Sequence, residues 1–188
     1  MMKVAVTGGI GSGKSYVCKL LKERGINVYD CDNAAKRIMA SSAKVQSALR
    51  RVVGDDVFIE GRLNKKLLAA YLLQSDNNAN IINSIVHPEV ADDFRNSGYD
   101  WMECAILFSS GFNRLVDKVV CVTAPLEVRL DRIVSRDGIT REKALEWINK
   151  QMPQEEVAGL SDFEIVNDGT ANLEIQIDKV LASLGYGW

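Results

Sequence analysis

The stretch Val4-Ala5-Val6-Thr7-Gly8-Gly9-Ile10-Gly11-Ser12-Gly13-Lys14-Ser15 decides the fold. Its first residues form a short β-rich run, and the rest fits the spacing G-x-x-x-x-G-K-[ST]. Glycines in such a run let the backbone wrap until successive N–H groups point inward at phosphate oxygens. Beyond it, Val17, Leu20 and Leu21 keep helical spacing and Gly25 ends the helix. A helix starting near Lys14 adds the positive end of its dipole to the cradle. Gly8, Gly11, Ser12 and Gly13 are therefore candidate phosphate-binding residues. Lys14 is expected to bridge the β- and γ-phosphates, and Ser15 to hold Mg²⁺ through its hydroxyl.

Beyond Gly25, residues 26–29 read as a second strand ending at Asp30-Cys31-Asp32. Strand, helix and strand in this order make a βαβ unit, hence a parallel sheet in an α/β fold. The middle is helical. Val45, Leu49, Val52 and Val53 follow Ser41-Ser42 and stop at Gly54. Leu67, Leu68, Tyr71 and Leu72 follow Asn64, an expected N-cap. Ile81, Ile82, Ile85 and Val86 form a further apolar patch before His87-Pro88. This segment interrupts the alternation of strands and helices and reads as a helical insertion at one edge of the sheet.

Alternation then resumes. Residues 102–108 and 118–123 are expected strands, although Glu103 is awkward inside the first. Pro125 suits the first turn of the following helix, which carries Leu130, Ile133 and Val134 on one side. Asp137-Gly138 breaks it, and Thr140 opens another helix expected to end near Met152-Pro153. Residues 163–166 form the last strand. Leu173, Ile177, Val180, Leu181 and Leu184 mark a final helix facing the core.

The 188 residues suit one domain, or one domain with an insertion. Hydrophobic residues at 47% and charged residues at 26% exclude a disordered or collagen-like chain. Lys and Arg number 23 against 25 Asp and Glu, a formal net charge of -2. That balance argues against a nucleic-acid partner, which a basic excess would favour. No apolar stretch is long enough to span a bilayer, so no membrane partner is expected. Cys18, Cys31, Cys104 and Cys121 show no C-x-x-C pairing and sit among apolar residues, so small buried thiols are expected. These features together suit the cytoplasm. Nothing in the sequence indicates an oligomeric state.

Three groups bear on what happens at the phosphates. Asp30 and Asp32 stand at the C-terminal end of the second strand, the edge where open α/β sheets bind ligands. One of them is expected to take a proton from an acceptor hydroxyl or to orient Mg²⁺; on an extended chain they share a face with Cys31 opposite. Arg132 and Arg136 lie four apart on one helix face, with Arg129 close to it. Planar, permanently charged guanidinium groups suit a transferred phosphoryl group, and Arg136 is the candidate for that role. By residue type alone His87 is more ordinary as a structural histidine. The GTPase signals D-x-x-G and [NT]-K-x-D are absent; Asn64-Lys65-Lys66-Leu67 is the nearest string. A small-molecule kinase, a nucleoside or nucleoside-monophosphate kinase, and a non-catalytic ATP-binding protein all remain compatible with these residues.

Nearly the whole chain resembles the dephospho-coenzyme A kinases. Thr7-Gly8-Gly9-Ile10-Gly11-Ser12-Gly13-Lys14-Ser15 is similar to that family's T-G-G-I-G-S-G-K-[ST] opening. Tyr29-Asp30-Cys31-Asp32 is similar to its D-A-D segment, and residues 61–68 to G-x-L-x-R-x-x-L. His87-Pro88 matches its H-P pair, residues 132–137 its R-x-x-x-R-D segment, and Gln151 a downstream Gln. Asp162 and Asn167 fit A-D-x-x-I-x-N-x-G with Ser161 for Ala. The pattern departs at Tyr16 for Thr or Ser, Lys65 for Arg, and Ser109 for the Glu of P-L-L-[FV]-E.

The resemblance implies a P-loop kinase-like parallel sheet flanked by helices, with a helical acceptor-binding insertion and a lid, in a single domain spanning 1–188. The core is expected in residues 1–35, 100–125 and 160–188, the acceptor region in 36–99 and the lid in 126–158. It implies transfer of the γ-phosphoryl group of ATP, with Mg²⁺, to the ribose 3′-hydroxyl of dephospho-CoA, the last step of coenzyme A synthesis. By position it makes Asp32 the base or orienter and puts Lys65 and His87 with Asp32 at the acceptor. Tyr16, Arg132 and Asn167 then serve the nucleotide, Asn167 beside the adenine.

Overall fold

A computed structural model describes residues 2–187. Along the chain run β1 (Val4–Thr7), α1 (Lys14–Glu23), β2 (Val28–Asp30), α2 (Cys31–Ser41), α3 (Ala43–Val53), β3 (Phe58–Ile59), β4 (Arg62–Leu63), α4 (Lys65–Gln74) and α5 (Asp76–Asn96). Then follow β5 (Trp101–Glu103), β6 (Lys118–Thr123), α6 (Leu126–Asp137), α7 (Arg141–Asn149), α8 (Gln154–Gly159), β7 (Phe163–Val166) and α9 (Leu173–Ser183). The chain divides into two compact units, one holding residues up to Tyr29 and from Tyr99 onward, the other Asp30–Gly98.

The first unit is built on a five-stranded sheet of order β2-β5-β1-β6-β7. β1 lies parallel to β5 and β6, and β6 parallel to β7, with Val4 opposite Trp101 and Lys118, and Thr7 opposite Cys121. Alternate strand residues bury one face: Val4, Val6, Val120, Val122 and Ile165 pack against Val17, Leu20 and Leu21 of α1 and Ile177, Val180 and Leu181 of α9. Trp101 joins this core, and its Nε1 donates to Tyr186 Oη at 2.9 Å. A second cluster, Leu130, Ile133 and Ala144, joins α6 to α7 and takes in Ile10 from the glycine-rich loop. β7 is an edge strand, and Gln176 occupies part of that edge. Val166 N donates to Gln176 Oε1 at 2.8 Å, and Gln176 Nε2 donates back to Val166 O at 2.9 Å.

The second unit is four helices and a short hairpin. Ser42, Asn64 and Ser75 cap α3, α4 and α5, each accepting from a backbone N–H inside the first turn. Ile38, Leu49, Leu68, Val86 and Phe94 are among its buried residues. β3 and β4 pair antiparallel across Glu60-Gly61, both at positive φ, as a two-residue hairpin turn of type I′ requires.

Several expectations need correcting. The strand expected over 102–108 is only β5; Ser110 N donates to Ile106 O and Gly111 N to Phe108 O, so the remainder turns. An apolar run signals burial, which Cys104 and Leu107 meet at 2% and 1% exposure, and burial alone does not distinguish a strand from a packed turn. Asp30, Cys31 and Asp32 do not alternate along an extended chain. Asp30 is the N-cap of α2, its carboxylate accepting from Asn33 N at 2.9 Å, and Cys31 and Asp32 are already helical. The apolar patch expected before His87-Pro88 belongs to α5, which continues through Pro88 to Asn96. Pro125 precedes the first helical residue of α6 rather than occupying it. α7 ends at Asn149, and Pro153 caps the short α8. The hairpin and α8 were not expected.

All four cysteines are thiols; Cys31, Cys104 and Cys121 are buried and Cys18 half-buried. Of the three tryptophans, Trp188 lies outside the described residues. Among the described residues no helix is long and apolar enough to cross a membrane.

Candidate active site

The loop of residues 8–13 joins β1 to α1, so the sheet and the helix between them fix both of its ends. Ser12 N donates to Gly9 O at 3.2 Å, and Val17 N to Gly13 O at 3.1 Å. The outward carbonyls of the loop are gripped by two side chains from elsewhere in the first unit. Arg132 Nη1 donates to Gly11 O and Ser12 O, both at 3.3 Å, and Nη2 to Asn167 Oδ1 at 3.1 Å. Asn167, 7% exposed, completes the brace by donating Nδ2 to Ser12 O at 2.9 Å. With these carbonyls held from outside, the loop can turn its remaining N–H groups toward an anion; those of Ile10 and Ser12 are already bonded to Gln151 Oε1 and Gly9 O. Ser12 Oγ is buried without a hydrogen-bond partner among the described residues. An orphaned hydroxyl in such a cradle is costly unless a ligand completes it.

Lys14 and Ser15 open α1, and Ser15 and Tyr16 are exposed. Ser15 Oγ donates to Glu103 Oε1 at 2.9 Å. Glu103 is the last residue of β5, beside β1 in the sheet, and its register partner is Val6. The sheet thus delivers a carboxylate to the hydroxyl expected to bind Mg²⁺. A hydroxyl and a carboxylate are hard oxygen donors of the kind Mg²⁺ takes, together with waters and phosphate oxygens. Among the described residues no three His, Cys, Asp or Glu gather into a complete metal cage. The sequence did carry a signal for Glu103, an acid in an otherwise apolar strand.

Beside the loop a cavity of about 130 Å³ is lined by Thr7, Gly9, Ser109, Lys150 and Gln151 among others. Thr7 Oγ1 is buried without a partner among the described residues. Ser109 is exposed in the turn after β5, its hydroxyl donating to Ile106 O at 3.2 Å. Below the loop lies Cys121, whose thiol burial pushes up to about 12; Glu164 adds to the rise, and the charges of Lys14 and Arg129 oppose it. Cys121 therefore stays protonated near neutral pH and is no nucleophile.

The arginines of α6 differ from one another. Arg132 braces the loop. Arg136 is more than half exposed and paired with Asp137, Nη2 to Oδ2 at 2.7 Å. Arg129, placed near the basic face only by spacing, is buried and bonded to the loop itself. Gln151 also proves to be a loop residue, its Oε1 accepting from Ile10 N at 2.7 Å. Asp162, matched only as part of a pattern, is structural: it accepts from Lys118 Nζ at 2.6 Å and Val119 N at 2.9 Å.

In the second unit, Asp32 stands exposed in the first turn of α2 with Asp30 occupied as its cap. Lys65 is the exposed first residue of α4. His87 is half-buried within α5, and burial lowers its pKa below the ordinary histidine value. Near pH 7 it is neutral, so it can offer a ligand a hydrogen bond and not a charge.

The family model described as dephospho-CoA kinase matches residues 2–172. A dephospho-CoA kinase of Bacteroides fragilis is 43% identical over 190 residues, covering 97% of this chain and 93% of that protein. The chain belongs to the dephospho-CoA kinase family. A crystal structure of a Thermus thermophilus protein superposes with a TM-score of 0.87 at 28% identity, covering 99% of this chain and 98% of that one. A dephospho-CoA kinase from Campylobacter jejuni shares the fold with a TM-score of 0.68 at 21% identity, covering 97% and 96%. The architecture is that of a P-loop kinase: a parallel sheet flanked by helices, with the glycine-rich loop after its first strand.

Proposed function

We propose that this enzyme transfers the γ-phosphoryl group of ATP to the ribose 3′-hydroxyl of dephospho-CoA, giving coenzyme A and ADP. The observation that carries the reading is the intact phosphate loop, with Ser15 joined to Glu103, in a chain that matches the family over nearly its whole length. Gly8, Gly11, Ser12 and Gly13 shape the cradle, and Lys14 binds the β- and γ-phosphates. Arg132 and Asn167 hold the loop carbonyls, with Asn167 and Tyr16 at the nucleotide. Ser15 and Glu103 would hold Mg²⁺, which supplies positive charge to the phosphate oxygens when bound. Asp32 receives the proton of the 3′-hydroxyl as its oxygen bonds to the γ-phosphorus. The bond from phosphorus to the bridging oxygen breaks, and that oxygen leaves with ADP. Arg136 exchanges Asp137 for the transferred group. Lys65 and His87 contribute to acceptor binding.

In this reading residues 36–99 take the acceptor and 126–158 act as a lid. Residues 1–35, 100–125 and 160–188 hold the nucleotide, in one catalytic domain working in the cytoplasm.

ADP release is expected to depend on dephospho-CoA, with a product one phosphate heavier by mass spectrometry. Turnover of adenosine or shikimate in its place would remove the acceptor assignment. Tight ATP binding without transfer to any acceptor would remove the enzyme reading.

Glu103→Gln keeps size and hydrogen bonding while removing the charge. It is expected to weaken apparent Mg²⁺ activation by about 10- to 100-fold, as losses next to a metal usually do. An unchanged Mg²⁺ titration would take Glu103 out of the metal site.

A further inference from the structure

Arg129 is only 5% exposed, yet no carboxylate lies within 4.0 Å of its guanidinium among the described residues. Of the nearby arginines, Arg136 is neutralised by Asp137 and Arg141 by Glu127 and Asp131, while Arg132, bonded to the carbonyls of Gly11 and Ser12 and to Asn167, is less deeply buried than Arg129. Among the described residues its one side-chain hydrogen bond runs from Nε to Ile10 O at 2.9 Å. Burial lowers its pKa, with the more distant Glu155 acting in the opposite direction. Burying an unpaired charge costs far more than one hydrogen bond returns, so the cation needs another reason to be there.

That reason is found at the tip of the phosphate loop. A Cβ on Gly9 would stand 2.4 Å from Arg129 Nη2, and one on Gly11 2.7 Å from Arg129 O. The bare backbone at these two positions is what allows α6 to close on the loop. Between them, Ile10 is held on every side: its C=O by Arg129, its N–H by Gln151 and its side chain by the α6–α7 cluster. Three consecutive residues of the tip are thus shaped by residues 126–153.

We propose that Arg129 is a positioning residue for the nucleotide, fixing the Gly9–Gly11 tip in its phosphate-binding shape and setting a permanent positive charge behind it that the bound polyphosphate balances. The naming of ATP as that anion rests on the kinase reading. A passive strut would need only the shape and the hydrogen bond, whereas this role needs the charge as well. The test therefore separates charge from shape, and compares a polyphosphate ligand with one that has none.

Arg129→Gln keeps a donor for Ile10 and much of the volume, and Arg129→Lys keeps the charge. By calorimetry, Arg129→Gln is expected to raise the Kd for ATP by about 10- to 100-fold, the value of a charge-assisted contact, and to leave the Kd for adenosine within about twofold. Arg129→Lys is expected to stay within about threefold of the unaltered protein for ATP. Equal weakening of ATP and adenosine, or of neither, would make Arg129 a strut and overturn the proposal. So would Arg129→Lys binding ATP as poorly as Arg129→Gln. Arg129→Met serves as the uncharged variant if glutamine does not fold, with the same two outcomes. The unaltered protein is assayed alongside for ADP release with dephospho-CoA, so a wrong acceptor shows there and not in the ratio of ATP to adenosine affinity.

Discussion

Asp32→Asn is expected to slow phosphoryl transfer by about 10²–10⁴ while ATP binds as before, because asparagine keeps the shape and cannot take a proton. The local structure separates the two acids that stand together in the sequence. Asp30 has both carboxylate oxygens engaged by Asn33, Oδ1 by the backbone N–H at 2.9 Å and Oδ2 by the side-chain amide at 2.7 Å. It is committed to starting α2. Asp32 is exposed in the first turn of the same helix and carries no such duty. Asp30→Asn is the matched control, since asparagine caps a helix about as well as aspartate and should leave stability nearly unchanged. Single-turnover rates with saturating ATP, beside ATP affinity by calorimetry, make the comparison. Equal rates for Asp32→Asn and the unaltered enzyme would exclude Asp32 as base or orienter.

Gly8→Ala is expected to damage both stability and nucleotide binding. Gly8 has φ +139, a conformation that L side chains rarely adopt, and a Cβ there would lie 2.2 Å from Val122 O. That oxygen belongs to the backbone of β6, which pairs with β1 and β7, so it cannot swing aside as a side chain would. Backbone strain of about 1–3 kcal/mol and overpacking of similar size together predict a loss of about 2–6 kcal/mol in unfolding free energy. The relief available is a shift of the loop itself. A displacement near 1 Å costs about 10²-fold in a positioned reaction, so turnover should fall with stability. Chemical denaturation and ATP titration measure the two effects. A variant with native stability and unchanged ATP affinity would show that the loop relaxes freely at Gly8, contrary to this packing.

The ends of most elements were readable because their signals are local. Asn64 as the cap of α4, Gly54 as the stop of α3 and Gly138 after α6 each act through a few neighbouring backbone groups. β6 was legible as a compact apolar run, and β7 as a short β-rich segment closed by the polar turn Asn167-Asp168-Gly169. The segment after Glu103 was not, because Leu107 is buried as deeply as a strand residue while its backbone turns. α5 passed through Pro88 where a stop is ordinary, since the packing of Val86, Val90 and Phe94 outweighs one missing backbone donor. The Asp30–Asp32 pair is not extended chain as its position after a strand suggests, because Asp30 ends β2 and caps α2 at once.

By itself the sequence determined the phosphate loop and the family, because a run of eight residues carries that chemistry in its own backbone and the matching segments extend along the chain. The tertiary structure decided which distant groups serve the loop. Glu103 meets Ser15 across 88 residues, Arg129 meets Ile10 across 119 and Gln151 meets the same residue across 141. Strand order brings the first of these together, and the packing of α6 and α7 the other two. No local spacing encodes such meetings, since they depend on where the sheet and helices come to rest once their apolar faces are buried.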